Sequence, residues 1–285
     1  MRIGEKKYNE MVWVSKVPFD THHDERIAPL LRLPAYMDEE THTGLKISVL
    51  TVFPEMFHDF LREPVTARAI ERGSVQVELI DIKAFAGGSF RHIDDDTYGG
   101  GAGMVMRCAP VLDALKTVKT EGSITAVMAP CGLPYTQKKA RELASCEHLI
   151  LICGHYEGLD ERIMKRADLI LSIGDYVLTG GELPAKVVMD SVMRLLPGVL
   201  RHESTEYESF ENGLLEYPQF TRPQEYEGER IPEVFLTGDH EKIRRWRLKE
   251  SLRLTLERRP DLLERRSFTQ EEKQLLEELQ TEAGN

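Results

Sequence analysis

Three short apolar runs in the middle of the chain each break off at a glycine, and this repetition constrains the fold more than any other feature. They lie in residues 126–132 (AVMAPCG), 148–154 (HLILICG) and 172–184 (SIGDYVLTGGELP). Apolar runs without polar alternation suit strands buried on both faces, as in parallel sheets covered by helices. Such sheets bind ligands beyond the carboxyl ends of their strands, so the three loops are expected to share one site. In the third run, Gly180 and Gly181 let main-chain amides approach a ligand closely. Thr179 and Glu182 have the spacing of a capping box, and Pro184 suits the first turn of the helix that follows. Taken alone, this loop reads more readily as an ordinary strand-to-helix turn; its two companions turn the reading toward a ligand.

The rest of the chain fits around that centre. Residues 45–200 alternate apolar runs with helical patterns, as an α/β domain does. Residues 201–216 lose apolar content and gather Glu203, Glu206, Glu208, Glu211 and Glu216, which reads as a mobile linker. Residues 217–285 carry long helical periodicity and read as a smaller helical domain. Residues 1–44 show no clear period and read as an N-terminal extension, disordered or translated from an upstream start. Cys108, Cys131, Cys146 and Cys153 lack zinc-site spacing, which suits a reduced cytoplasmic setting. No apolar run approaches the roughly 20 residues of a membrane span, so no membrane partner is expected.

A net charge of −11 argues against a nucleic-acid partner, because phosphate affinity comes from Lys and Arg. The distribution reverses this locally: residues 242–259 hold eight basic side chains against Glu250 and Glu257, a net of +6. Trp246, set between Arg245 and Arg247, is placed to stack on an unpaired RNA base. The competing reading is a solvated helix face.

Long motifs in order resemble one family, the bacterial tRNA (guanine-N1)-methyltransferases of the TrmD type, within the SPOUT class. They are residues 47–57 (ISVLTVFPEMF), 98–104 (YGGGAGM), the three loops, and 213–223 (GLLEYPQFTRP). The resemblance implies a SPOUT-type parallel sheet with a deep trefoil knot, followed by a small helical tRNA-binding domain. It also implies a homodimer with active sites at the interface. The activity implied is transfer of a methyl group from S-adenosylmethionine to N1 of the guanosine immediately 3′ of the tRNA anticodon. The donor pocket is expected at Pro130, Gly132, Gly154, Glu157, Ile173, Gly174, Asp175, Tyr176, Val177, Leu178, Gly180, Gly181 and Pro184. Glu157 matches an acidic residue near the donor's charged end, and Gly181→Val is expected to abolish donor binding with the fold intact. The family preference for Mg²⁺ can be met at carboxylates, but Mg²⁺ keeps most of its waters and no metal residues are assigned. His155, Glu157, Asp160 and Glu161 form a superficial metal cluster in sequence only.

Guanine N1 carries a proton at neutral pH, so its methylation needs a base for that proton and a cation for the charge forming on O6. The resemblance assigns the base to Glu208, where the family usually carries Asp, and the O6 contact to Arg194. Glu206 is a rival base. Lys186, Asp190 and Arg194 fall at i, i+4 and i+8, which equally suits a surface ion-pair stripe. Asp96 and Thr97 depart from a family pattern of Arg and Pro beside the glycine run. Two other readings stay open: a knotted methyltransferase acting on a ribose 2′-hydroxyl, and a knotted RNA-binding protein without catalysis.

Overall fold

Continuous apolar stretches become adjacent parallel strands. The computed structural model describes residues 31–32, 44–87, 92–200, 208–264 and 266–283. The chain divides into two compact units, Met1–Leu200 and Arg201–Asn285. In the first, β1 (Leu31–Arg32), β2 (Leu45–Thr51), β3 (Val75–Asp81), β6 (Ile124–Pro134), β7 (His148–Cys153) and β8 (Leu169–Ser172) make a sheet of order β1-β3-β2-β7-β6-β8. Every pairing is parallel except that of β1 with β3. A hairpin of β4 (Asp94–Asp96) and β5 (Met104–Met106) stands apart from the sheet.

Alternation along the strands sends successive side chains to opposite faces. Val49, Leu149, Leu151 and Leu171 pack on one face with Phe57, Ala69, Leu143, Val188 and Val192. These last come from or adjoin α1 (His58–Arg62), α2 (Pro64–Glu71), α4 (Gln137–Ala144) and α6 (Glu182–Met193). Leu50, Ile80, Val127, Ile150 and Ile152 pack on the other with Val111 and Leu115 of α3 (Cys108–Val118) and Ile163 of α5 (Glu161–Met164). Each fully buried Leu or Ile contributes roughly 1.5–3 kcal/mol, which is why both faces tolerate so few polar residues.

One buried polar cluster joins β2, β3 and the start of β7. Ser48 Oγ lies 2.9 Å from His148 Nε2, and Thr120 Oγ1 lies 3.0 Å from His148 Nδ1. Lys46 pairs with Glu78 at 3.2 Å. Burial, reinforced by Lys46, lowers the His148 pKa from its ordinary 6.5 to about 4. The unfolded chain therefore takes up this proton at a higher pH than the folded one. Stability from this group is complete above about pH 6.5 and is lost as pH falls toward 4, by on the order of 3 kcal/mol. Urea midpoints of His148→Asn measured between pH 7 and 4 should fall less steeply than those of the unsubstituted chain. Parallel profiles would remove His148 from the acid response.

The second unit contains a short hairpin, β9 (Glu225–Tyr226) and β10 (Glu229–Arg230), then α7 (His240–Arg258), α8 (Pro260–Glu264) and α9 (Gln270–Ala283). Asp239 caps α7 by accepting from Glu241 N and Lys242 N. Thr269 and Glu272 form a reciprocal capping box at α9. Leu214, Leu252, Leu275 and Leu279 form its core. The stretch 201–216, expected as a linker, therefore divides. Residues 201–207 lie outside the described residues, whereas Leu214 is buried and Leu215 N donates to Thr255 Oγ1, fixing that end to the helices. No helix among the described residues is long and apolar enough to cross a membrane.

Candidate functional site

Two glycines mark places where the chain crosses itself in van der Waals contact. β7 ends at Cys153, and the chain returning from β8 runs antiparallel to the turn after it, with Gly180 bridging His155. Gly181 N donates to Gly154 O at 2.7 Å. A Cβ on Gly181 would stand 2.7 Å from both Cys153 Cα and Gly154 N, which are main-chain atoms that no rotamer change moves. Likewise β6 runs past the end of its pairing with β7 and continues along β8, shifting register between Met128 and Leu133. At Gly132 a Cβ would lie 2.5 Å from Ile170 C and Leu171 N. The three loops thus converge at the carboxyl ends of adjacent strands. Gly181→Val, expected from sequence to spare the fold, instead strikes the backbone crossing itself.

The start of α6 departs from its sequence reading. Gly181 is the N-cap and no side chain caps the helix, so Thr179 and Glu182 do not form a capping box. Glu182 is the first helical residue and is only 1% exposed. Its carboxylate accepts from Thr51 Oγ1 at 2.8 Å, while His155 Nδ1 stands 3.8 Å away. Thr51 Oγ1 in turn accepts from Phe53 N. A buried carboxylate is tolerated here because the positive end of the helix dipole and a hydroxyl donor face it. Its negative charge also reinforces the burial that raises the Cys153 thiol pKa. Glu182, Thr51 and His155 tie β2, the turn after β7 and α6 together. Nothing in the sequence couples Thr51 to Glu182, which are 131 positions apart.

The remaining donor-pocket candidates differ in burial. Pro184 is buried in the first turn of α6, and Gly154, Ile173 and Gly174 are partly buried. Pro130, Asp175, Tyr176, Val177 and Leu178 are exposed. Val177 is 84% exposed and Leu133 65%, with Leu183 and Val187 of α6 also open.

The glycine run joins the same site. Gly99, Gly100, Gly101 and Gly103 all have positive φ, and Tyr98 between the hairpin strands is fully exposed. Glu157 N donates to Met104 O, and a Cβ on Gly103 would meet the Glu157 side chain. The hairpin is therefore packed against the Glu157 turn. Asp96 closes β4 opposite Met104, and Thr97 O accepts from Gly100 N. Among the described residues no three His, Cys, Asp or Glu side chains come together to hold a metal. Asp160 is instead engaged by Arg162 through two bonds of 2.8 and 2.6 Å, which hold its carboxyl below the usual range.

Arg194 is the C-cap of α6 and is partly buried; Glu208 belongs to the second unit and is also partly buried. Along α6, Lys186 Nζ lies 5.5 Å from the Phe57 ring centroid. Glu206 lies outside the described residues. The basic helix α7 is largely neutralised within its own unit. Arg244 pairs with Glu241 and Glu271, Arg245 and Lys249 with Glu278, and Arg253 with Glu250 and Glu257. Trp246 is partly buried, its ring 4.9 Å from Phe235 and 6.2 Å from Phe220. It is a structural anchor, and its setting among arginines in sequence does not reveal this.

Residues 45–265 match the family model described as tRNA (Guanine-1)-methyltransferase TrmD. The chain is also similar to proteins named tRNA (guanine-N(1)-)-methyltransferase. That of Halalkalibacterium halodurans is 51% identical over 242 residues, covering 82% of this chain and 98% of the relative. That of Geobacillus kaustophilus is 50% identical, covering 84% and 99%, and that of Dictyoglomus turgidum is 47% identical, covering 84% and 98%.

Proposed function

The chain belongs to the tRNA (guanine-1)-methyltransferase TrmD family, and on that footing we propose how its loops carry out the reaction. It methylates guanine N1 in tRNA, and S-adenosylmethionine is the methyl donor of the family. The observation that carries the site assignment is the convergence of three glycine loops at Gly132, Gly154 and Gly181, with Tyr176, Val177 and Leu178 exposed in the third loop and Glu157 exposed in the turn after β7. Tyr176, Val177 and Leu178 offer an apolar wall suited to an adenine ring, and the Glu157 carboxylate favours a sulfonium or ammonium group. Bound there, S-adenosylmethionine supplies a methyl group already activated by its sulfonium.

The chain's own residues then have two tasks. Glu208 accepts the N1 proton, and Arg194 donates to O6 as negative charge forms there. The target is the guanosine immediately 3′ of the anticodon. The backbone crossings at Gly132 and Gly181 are those expected of a deep trefoil knot, whose threading fixes the loops before any ligand arrives. Leu183 and Val187, exposed on α6 beside the site, suit an interface with a second copy, so that the knot loops of one protomer meet the Glu208 segment of its partner. Such an enzyme works in the cytoplasm, where its tRNA substrate is found. Incubation with unmodified tRNA and labelled donor, followed by nucleoside mass analysis, tests the activity: N1-methylguanosine at that one position is expected. A ribose-methylated nucleoside, or no product with donor bound, would support the two rival readings respectively.

A further inference from the structure

The second unit contains a cavity of about 510 Å³ that no part of the donor site explains. Its walls include Tyr217, Phe220, Arg222, Gln224, Phe235 and Arg247. Trp246 packs behind Phe220 and Phe235, so the aromatic wall is held in place before any ligand arrives. Arg247 also lines the cavity, its guanidinium carbon over the Tyr217 ring at 4.8 Å from the ring centre.

The charges around this cavity differ from most of those along α7. Arg244, Arg245, Lys249, Arg253 and Arg259 each meet a carboxylate. Arg222 and Arg247 have no carboxylate partner among the described residues and both face the cavity. In a chain of net charge −11, two unneutralised guanidinium groups at one concave site attract an anion. Aromatic faces and an arginine plane attract a planar ring, while Thr221 and the Gln224 amide can bond to its edge. A cavity of this volume falls within the ordinary range for small ligands, about 300–1,000 Å³.

We propose that this cavity binds one unpaired nucleotide of the tRNA substrate, its base against Phe220 and the Tyr217–Arg247 stack and its phosphate on Arg222 and Arg247. The proposal rests on the family reading for the identity of the RNA. It gives the second unit a nucleotide-sized contact that anchors tRNA apart from the methyl-transfer chemistry.

The test uses the full chain and unmodified tRNA. Arg247→Ala should weaken tRNA binding about tenfold and reduce the slope of log affinity against log salt by about one, as loss of one phosphate contact does. Phe220→Ala should also weaken binding about tenfold but leave the salt slope unchanged, because stacking releases no counterion. Donor affinity, measured by calorimetry, should stay the same in both. Should Arg247→Ala fail to fold, Phe220→Ala alone still decides. Wild-type tRNA affinity in folded variants would overturn the pocket while leaving the family reading intact, and absence of N1-methylguanosine with the unsubstituted chain would overturn that reading. Adenosine monophosphate is the second probe: if Arg247→Ala abolishes its binding without changing tRNA affinity, the cavity serves a free nucleotide and the proposal falls.

Discussion

Replacing Gly181 with alanine should cost the first unit much of its stability and should remove donor binding with it. The added Cβ would sit 2.7 Å from Cys153 Cα and Gly154 N, and neither atom can move without displacing the end of β7. β7 lies between β2 and β6 and all its side chains are buried, so the neighbouring strands resist the shift. Overpacking of this kind costs about 3 kcal/mol, equivalent to a fall in melting temperature of roughly 6–12 °C for a domain of this size. Gly87→Ala is the matched control, because nothing lies within 4 Å of its added Cβ. Thermal unfolding and calorimetric titration with S-adenosylmethionine measure both effects. A Gly181→Ala protein that melts with the control and binds donor normally would mean that the crossing at Cys153 is not tight. Gly181→Val, with two further carbons, should be worse on both counts.

This separates what the sequence discloses from what only the fold discloses. The 148–153 run announces a two-sided strand because every one of its side chains must avoid water, and burial on both sheet faces satisfies them all. The glycine endings announce close approach, but they do not say whether the approaching group is a ligand or the chain itself. At Gly132 and Gly181 it is the chain. Capping-box spacing at Thr179 misleads because Glu182 gains more from burial against Thr51 than from reaching back along its own helix, and that contact depends on β2 lying in the same sheet. The basic stretch 242–259 is less open than it reads, for a similar reason. Arg244, Arg245 and Lys249 meet Glu271, Glu278 and Glu282 on α9, which only tertiary packing brings beside them. Local pattern reads the strands and loops, while long-range pairing decides which charges remain available to a ligand.

Glu208→Gln and Arg194→Ala should each slow the methyl-transfer step about a hundredfold or more, while leaving donor affinity nearly unchanged. The glutamine keeps the shape of the side chain but has no basicity for the N1 proton, and the alanine removes the donor that meets charge on O6. Glu208→Asp should retain activity and can raise it, because a misplacement near 1 Å costs on the order of a hundredfold and the shorter carboxylate is the form usual at this position in the family. Single-turnover rates with saturating donor separate this step from binding. A near-normal rate for Glu208→Gln with an impaired Glu206→Gln would pass the role of base to Glu206. The two slow variants also test whether the site is shared between protomers. In a mixed dimer of an Arg194→Ala chain with a Glu208→Gln chain, a site that takes Arg194 from one protomer and Glu208 from its partner is rebuilt intact once per dimer. Its activity should return to about half that of the unsubstituted dimer, since one of two sites is restored. If each site instead draws both residues from a single chain, every site in the mixture carries one defect and no activity returns.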